Sequence, residues 1–100
     1  MNPKAYISGP MKGVDGFNKP AFDHVEMWLR DWPFNYRVHN PANNPEQSDL
    51  EHWIQNLTAL QDCDIVVALK GWRVSLGAAL EVDLAREHGL KIYDESMRKI

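Results

Sequence analysis

The chain has 100 residues, of which 44% are hydrophobic and 25% charged, and this composition is typical of one small globular domain. With 10% aromatic residues and a net charge of −3, disorder is disfavoured, and 11 basic against 14 acidic residues provide no cationic field for polymeric nucleic acid. The longest apolar run, residues 65–69, is too short to span a membrane, and the start carries no export signal. A cytoplasmic protein is therefore expected, and its single Cys63 excludes an intramolecular disulfide.

The first predicted strand and helix are separated by a glycine-containing loop. Lys4–Ser8 is short and β-prone and is followed at once by Gly9-Pro10, which predicts a strand that ends in a turn. A helix is predicted over residues 18–30, because Pro20 suits a first helical turn and apolar residues repeat at helical spacing. Those apolar residues are Phe22, Val25, Trp28, Leu29 and Trp32.

A strand, a loop and a second helix follow in the middle of the chain. Residues 36–39 are predicted to form the strand, and the turn-rich residues 40–45 the loop. Ser48 and Glu51 have the spacing of a capping box at the start of the helix. The apolar stripe of this helix consists of Leu50, Trp53, Ile54, Leu57 and Leu60.

The last third of the chain repeats the same alternation. Residues 64–69 predict a third strand that is buried on both faces, and Ser75 and Gly89 are suited to begin and end a helix over residues 75–88. Residues 91–93 predict a fourth strand, and residues 94–100 a polar tail. Because no repeat or domain boundary is found, residues 1–100 are expected to form one domain. The order βαβαβαβ with short connections predicts a parallel sheet with helices on both faces.

In such sheets ligands bind at the carboxyl ends of the strands, where the strand order reverses. The first candidate there is the turn after the first strand, because its glycines let backbone N–H groups approach a ligand and Lys12 can meet an anion. The alternative is a tight surface turn, which the spacing alone favours. The residues of this turn are Ser8, Gly9, Pro10, Met11, Lys12 and Gly13.

The second candidate is the start of the third helix. The Ser75 hydroxyl and the N–H groups behind it form an anion-binding helix terminus. Glu81 points back over the preceding turn, where Gly77 leaves open space, as a small-ligand pocket requires. In the alternative, which the pattern supports equally, Glu81 solvates the helix and Gly77 permits close packing on the sheet.

Four further kinds of residue carry weaker signals. Asn56 lies off the apolar stripe of the second helix, so its position favours solvent over a pocket. Trp72 lies in a loop at the ligand end and either stacks on a base or packs under that loop. The histidines lack metal-binding spacing, so no metal site is expected, and Cys63 is interpreted as an inert core thiol.

Taken together, these motifs resemble the nucleoside 2-deoxyribosyltransferase superfamily over residues 4–94. The nearest resemblance is to its small DUF4406 branch, which is often phage-encoded, and the chain is also similar to the deoxynucleoside 5′-monophosphate N-hydrolases. The resemblance implies a small flavodoxin- or Rossmann-like three-layer α/β fold with a four- to five-stranded parallel sheet. It rests on residues 6–13, Asn40-Pro41, residues 63–65, and Gly71-Trp72 with Ser75-x-Gly77-x-x-x-Glu81.

The resemblance also implies an activity, the cleavage or transfer of the N-glycosidic bond of a 2′-deoxynucleoside or its 5′-monophosphate. Glu81 takes the position of the nucleophile that attacks C1′ of the sugar, and Tyr6 that of a tyrosine that contacts the nucleophile or the sugar. Ser75 matches a serine that binds the 5′-phosphate, which together with Lys12 favours a monophosphate. The other expected substrate-binding residues are the remaining residues of the first turn with Asn40, Trp72 and Gly77.

One position departs from the family pattern, which has an Asp on the second helix eight residues before the Asp of the third strand. Counting back from Asp64 gives Asn56. An amide can hydrogen-bond a base but cannot deliver a proton. Either another acid serves (Asp49, Asp62 or Asp64), the leaving base needs less help, or the protein binds without turnover. The alternative to an enzyme is therefore a non-catalytic nucleotide-binding or sequestering protein.

Neither hypothesis implies a cofactor or a metal. The expected partner is a small deoxynucleoside or nucleotide, with no polymeric nucleic acid and no membrane. Relatives in the superfamily complete their sites with residues of a neighbouring subunit, and 100 residues leave little chain to close a pocket. A homo-oligomer with a shared active site is therefore expected, in the host cytoplasm if the protein is phage-encoded.

Overall fold

In the described part of the chain, four short strands alternate with three α-helices, in the predicted order. The computed structural model describes residues 2–43 and 49–100, with only the backbone of Asp49. The predicted capping box at Ser48 and the end of the predicted 40–45 loop therefore lie outside the described residues. The strands are β1 (Lys4–Ser8), β2 (Arg37–His39), β3 (Ile65–Ala68) and β4 (Lys91–Asp94), and the helices are α1 (Lys19–Arg30), α2 (Asp49–Gln61) and α3 (Leu76–Glu87).

The strands form one parallel sheet in the order β2-β1-β3-β4. In the register of this sheet, Tyr6 of β1 pairs with His39 of β2 on one side and with Val66 of β3 on the other. After β1 the chain forms β2 on one side of it and then crosses over to form β3 on the other side. The strand order therefore reverses between β1 and β3. Sheets of this kind bind ligands in the crevice at that point.

Helices cover both faces of the sheet, which confirms the predicted three-layer α/β fold. Side chains alternate along β1, so that Ala5 and Ile7 face α1 while Tyr6 faces α2 and α3. The core on the first face is completed by residues of α1 such as Phe22, Val25 and Leu29. The core on the second face contains Leu60, Cys63, Val66, Val82, Ala85 and Ile92. Both layers therefore rest on the short buried strands β1 and β3.

The orientation of α2 differs from the prediction. Leu50 and Ile54 were expected on the buried stripe, but they are 68% and 56% exposed. Asn56, expected in solvent, is only 6% exposed. The side of the helix that carries Trp53, Asn56 and Leu60 faces the sheet. These residues have helical spacing, as do those of the predicted stripe. Apolar periodicity misplaced the buried face because a polar residue lies on it and apolar residues lie outside it.

Two further predictions are corrected at the ends of elements. Trp32 is 80% exposed, because the chain becomes extended at Asp31 and carries Trp32 away from the helical stripe of α1. The residues predicted as a polar tail turn back on the sheet, where Lys99 pairs antiparallel with Tyr93 and the Ile100 N–H donates to the Ile92 carbonyl at 2.9 Å. Among the described helices, none combines the length and apolar character needed to cross a membrane.

Candidate active site

A cavity of about 560 Å³ opens at the carboxyl ends of β1 and β3, at the point where the strand order reverses. The turn after β1 forms one wall, the start of α3 a second and the inner side of α2 a third. The described residues that line it are Gly9, Pro10, Met11, Lys12, Pro41, His52, Trp53, Asn56, Val74, Ser75, Leu76, Gly77, Ala78 and Glu81. The two sequence candidates, the turn after β1 and the start of α3, therefore face one space.

Glu81 lies at the bottom of this cavity and is only 6% exposed. Its Oε1 accepts a hydrogen bond from the Ser8 hydroxyl at 2.8 Å, and its Oε2 accepts one from the Tyr6 hydroxyl. Tyr6 and Ser8 reach the same carboxylate because they are two residues apart in β1 and so point to the same face of the sheet. Both oxygens of the carboxylate are thus oriented by hydroxyl groups from one rigid strand.

Burial and hydrogen bonding act on Glu81 in opposite directions. Burial raises its pKa, the hydrogen bonds from Tyr6 and Ser8 lower it, and the net result is a pKa above the ordinary 4.5. Burial and the neighbouring carboxylate raise the pKa of Tyr6 well above 10, so this phenol stays a proton donor in the hydrogen bond. A carboxylate held in this way in a cavity can act as a nucleophile or stabilise a developing positive charge.

His39 and Asn56 form a second polar pair on the same face of the sheet. The His39 Nε2 lies 3.2 Å from the Asn56 Oδ1, and the His39 ring stacks on Tyr6 with centroids 5.1 Å apart and planes at 18°. Burial lowers the pKa of His39 below 6.5, which favours the neutral ring. The side chain of Asn56, buried although the apolar pattern of α2 favoured solvent, therefore belongs to a network that reaches Glu81 through Tyr6.

The start of α3 has the predicted cap. The Ser75 hydroxyl accepts a hydrogen bond from the Ala78 N–H at 3.4 Å, as an N-cap residue does. Gly77 also lines the cavity at this end of the helix, and an added Cβ there would lie 3.9 Å from the nearest atom of Trp53, an ordinary contact distance. The helix terminus thus presents its partial positive charge to an open cavity.

The turn after β1 approaches β3 closely. A Cβ at Gly9 would lie 2.8 Å from the Leu69 Cβ, so only glycine fits at this position. Pro10, Met11 and Lys12, which follow in the turn, also line the cavity. Gly13, also expected in the site, has a φ of +82°, which favours glycine, and is absent from the described lining.

The sequence profile of the family described as a domain of unknown function (DUF4406) matches residues 3–94. The chain belongs to the DUF4406 family. Among solved structures, it is similar to the 2-desoxiribosyltransferase from Leishmania mexicana, with a TM-score of 0.73 and 17% sequence identity over 92% of this chain. The chain spans 63% of that protein. At this identity the likeness shows a shared fold, and no curated protein matches the sequence.

Two residues expected to bind substrate make other contacts in this DUF4406 chain. The Asn40 amide nitrogen donates to Asp23 and Glu26, each at 2.9 Å, and its oxygen accepts from the Ala42 N–H at 2.9 Å. These contacts join the end of β2 to α1. Trp72 packs against the core between the sheet and α3, and the Arg73 guanidinium lies 5.2 Å from the centre of its ring. Neither side chain is among the described residues that line the cavity.

Sequence reasoning named Asn56 of α2 as a candidate but missed His52 and Trp53 of the same helix. His52 and Trp53 line the cavity, and the His52 Nε2 donates to the Pro41 carbonyl at 2.8 Å. The helical spacing of His52, Trp53 and Asn56 was the available signal, but the predicted apolar stripe shares only Trp53 with these three residues. Among the residues the structure describes, no group of His, Cys, Asp or Glu side chains is suited to hold a metal ion.

The acids considered as proton donors lie away from the cavity where the structure describes them. Asp64 precedes β3 and its Oδ2 accepts from the Lys4 N–H at 2.8 Å, which puts it at the amino ends of the strands. Asp62 is exposed in the same connection. The structure describes only the backbone of Asp49. Glu81 is thus the one acid among the described lining residues.

Proposed function

We propose that this DUF4406 protein cleaves or transfers the N-glycosidic bond of a 2′-deoxynucleoside or its 5′-monophosphate, with Glu81 as the nucleophile. The observation that carries the proposal is the buried Glu81 carboxylate in the cavity at the carboxyl ends of β1 and β3, with a hydroxyl donor on each oxygen. The fold shared with a 2-desoxiribosyltransferase supports this reaction class.

In the proposed reaction, a Glu81 oxygen bonds to C1′ of the sugar while the bond from C1′ to the base nitrogen breaks and its electron pair leaves with the base. Because 2-deoxyribose lacks the electron-withdrawing 2′-hydroxyl, positive charge develops readily at C1′, and the carboxylate stabilises it. Water then cleaves the glycosyl ester and its proton balances the released base, or a second base captures the sugar. Tyr6 and Ser8 hold the carboxylate in position throughout.

A 5′-monophosphate is the form of substrate that the start of α3 favours. The helix terminus offers N–H groups and a partial positive charge, and Ser75 and Lys12 both line the same cavity as Glu81. A phosphate bound there would hold the sugar over Glu81. This arrangement supports the resemblance to the deoxynucleoside 5′-monophosphate N-hydrolases.

Binding without turnover is the second candidate function. The observation that favours it is Asn56, which lines the cavity at the position where the resemblance to the nucleoside 2-deoxyribosyltransferases implies an acid. The amide of Asn56 cannot protonate a leaving base. Such a protein would sequester a nucleotide. It predicts thermal stabilisation by the ligand without release of base, and Asn56→Asp would then introduce some turnover.

The experiment that tests the proposal incubates the purified protein with each deoxynucleoside and each 5′-monophosphate and measures free base by chromatography. Free base is expected with at least one of them, and Glu81→Gln abolishes it. Glu87→Gln, at the exposed end of the same helix, is the matched control and keeps the activity. A second base added as acceptor separates transfer from hydrolysis. If no compound releases base and the Glu81 variant behaves identically, the enzymatic proposal is wrong.

We also propose that the protein is a homo-oligomer in which a second copy covers the mouth of the site. Apolar side chains of α2, of α3 and of the turn before α3 are exposed, and two of them, Val74 and Leu76, line the cavity, where a monomer would leave them in water. A partner on this face would bury them and exclude water from the reacting sugar. The exposed side chains are Leu50, Ile54, Val74, Leu76 and Leu80.

A further inference from the structure

The hydrogen bond between His39 and Asn56 has a defined direction. An amide oxygen can only accept, so the His39 Nε2, 3.2 Å from the Asn56 Oδ1, carries the hydrogen and donates it. This bond fixes the plane of the amide, and the hydrogen-bond donor that the fixed amide offers is its NH2 group. Asn56 lines the cavity, so this donor belongs to the candidate site.

His39 is itself held in place by the sheet. It pairs with Tyr6 in the register of β1 and β2, and the two rings stack because paired residues of neighbouring strands point to the same face. Tyr6 is in turn fixed by its hydrogen bond to Glu81. The imidazole therefore has little freedom to turn. The orientation of the Asn56 amide follows from the position of His39, which is not among the described residues that line the cavity.

We propose that His39 is a positioning residue that presents the Asn56 NH2 group to the cavity, so that the site selects a base bearing a hydrogen-bond acceptor there. The acceptor is a carbonyl oxygen or a ring nitrogen without hydrogen. This inference rests on the proposed function and names the feature of the base that the site reads. An Asp at this position would instead offer a carboxylate oxygen and select a donor.

The test compares ligands that differ by one acceptor and measures binding by calorimetry, with thermal unfolding to establish that each variant is folded. The probes are 5′-monophosphates of 2′-deoxyadenosine with its 1-deaza, 3-deaza and 7-deaza analogues, and of thymidine with its 2-thio and 4-thio analogues. In the unmodified protein, loss of the acceptor that meets Asn56 weakens binding about fivefold to tenfold, the range of one hydrogen bond. The other analogues of the same base bind as the parent does.

Two variants of His39 separate its hydrogen bond from its ring. His39→Phe keeps a ring to stack on Tyr6 but cannot donate, so the difference between parent and analogue is expected to disappear. His39→Gln restores a donor without the ring and is expected to recover the difference. A parallel measurement needs no variant: ¹⁵N NMR of the unmodified protein is expected to find the neutral His39 ring protonated at Nε2.

The outcomes distinguish this inference from the function on which it rests. If a deoxynucleotide binds but His39→Phe retains the same discrimination, or if the neutral His39 ring is protonated at Nδ1 alone, the positioning role is wrong and the proposed function stands. If no analogue of a bound nucleotide binds more weakly, acceptor selection is wrong. If no deoxynucleoside or monophosphate binds at all, the proposed function itself fails, and the inference with it.

Discussion

The Tyr6 hydroxyl donates a hydrogen bond to Oε2 of Glu81 and so joins the central strand β1 to α3 across a buried face of the sheet. The two residues are 75 positions apart in the chain. This bond orients the acid of the candidate site from the most rigid part of the fold. It also lowers the pKa of the Glu81 carboxyl, against burial, which raises that pKa.

Replacing Tyr6 by Phe is expected to raise the pKa of Glu81 further, because the hydrogen bond that lowers it is lost. The acidic limb of the pH profile for base release then moves to higher pH, and the free energy of unfolding falls by about 1–2 kcal/mol. A ¹³C NMR titration of the Glu81 carboxyl and urea unfolding measure the two effects. Tyr36→Phe, on another aromatic cluster, is the control. An unchanged Glu81 titration in Tyr6→Phe would contradict the assigned role of the phenol.

The raised pKa of Glu81 makes stability depend on pH in a defined direction. Between the ordinary value of 4.5 and the raised pKa of the folded state, the unfolded chain has lost this proton while the folded protein retains it. The contribution of Glu81 to stability is therefore present below 4.5 and is lost as pH rises through the folded pKa. Glu81→Gln removes this contribution. The difference in unfolding free energy between the natural protein and the variant is therefore expected to shift against the natural protein as pH increases.

Urea unfolding at a series of pH values measures this difference. The subtraction is needed because His39, whose pKa burial lowers, acts in the opposite direction: its cost to stability appears as pH falls below 6.5. His39 is present in both proteins and cancels to first order. Parallel stability curves for the natural protein and Glu81→Gln would mean that burial does not perturb this carboxyl.

Two glycines of the cavity wall are expected to respond oppositely to alanine. Gly9→Ala puts a Cβ 2.8 Å from the Leu69 Cβ and lowers the free energy of unfolding by about 1–3 kcal/mol. Gly77→Ala has 3.9 Å to Trp53 and gains helix propensity, so stability holds or rises by up to about 1 kcal/mol. Its methyl group nevertheless enters the cavity and weakens ligand binding. Chemical unfolding and calorimetric titration of both variants test the pair, and equal effects would refute it.

Light scattering at micromolar concentration is expected to find a homo-oligomer. Ile54→Lys and Leu80→Lys each put a charge on the exposed apolar face beside the cavity and should shift the protein toward monomer. Met27→Lys is the matched control, since Met27 is equally apolar and exposed but lies on α1, on the opposite side of the sheet. A monomeric natural protein, or dissociation by the Met27 variant alone, would exclude this interface.

The order and type of the elements followed from local patterns. β1 was recognisable because β-prone residues end at Gly9-Pro10, and α3 because Ser75 and Gly89 bracket a helical pattern. Such signals depend on residues a few positions apart, which the sequence displays directly. The sequence also indicated that Ser75, Gly77 and Glu81 lie close together on one helix, because they are only a few positions apart.

The composition of the cavity wall depended on contacts between distant residues. Asn56 meets His39 from 17 positions away, and Tyr6 meets Glu81 from 75. The rotation of α2 about its axis decided that Asn56 rather than Ile54 faces inward, and the register of β1 with β2 decided that His39 lies against Tyr6. A stripe that includes Ile54 and one that includes Asn56 both have helical spacing. The inward position of Asn56 goes with its hydrogen bond to His39 on the sheet, which the sequence does not display.

The sequence by itself determined a parallel α/β fold and a ligand end at the turn after β1 and the start of α3, because strand and helix periods and chain direction are local properties. The tertiary structure alone decided that Glu81 is buried and held by two hydroxyl groups, that Asn40 and Trp72 lie outside the cavity lining, and that α2 supplies a wall. Burial and hydrogen-bond partners depend on how the helices and strands pack together, because packing brings side chains that are distant in the sequence into contact.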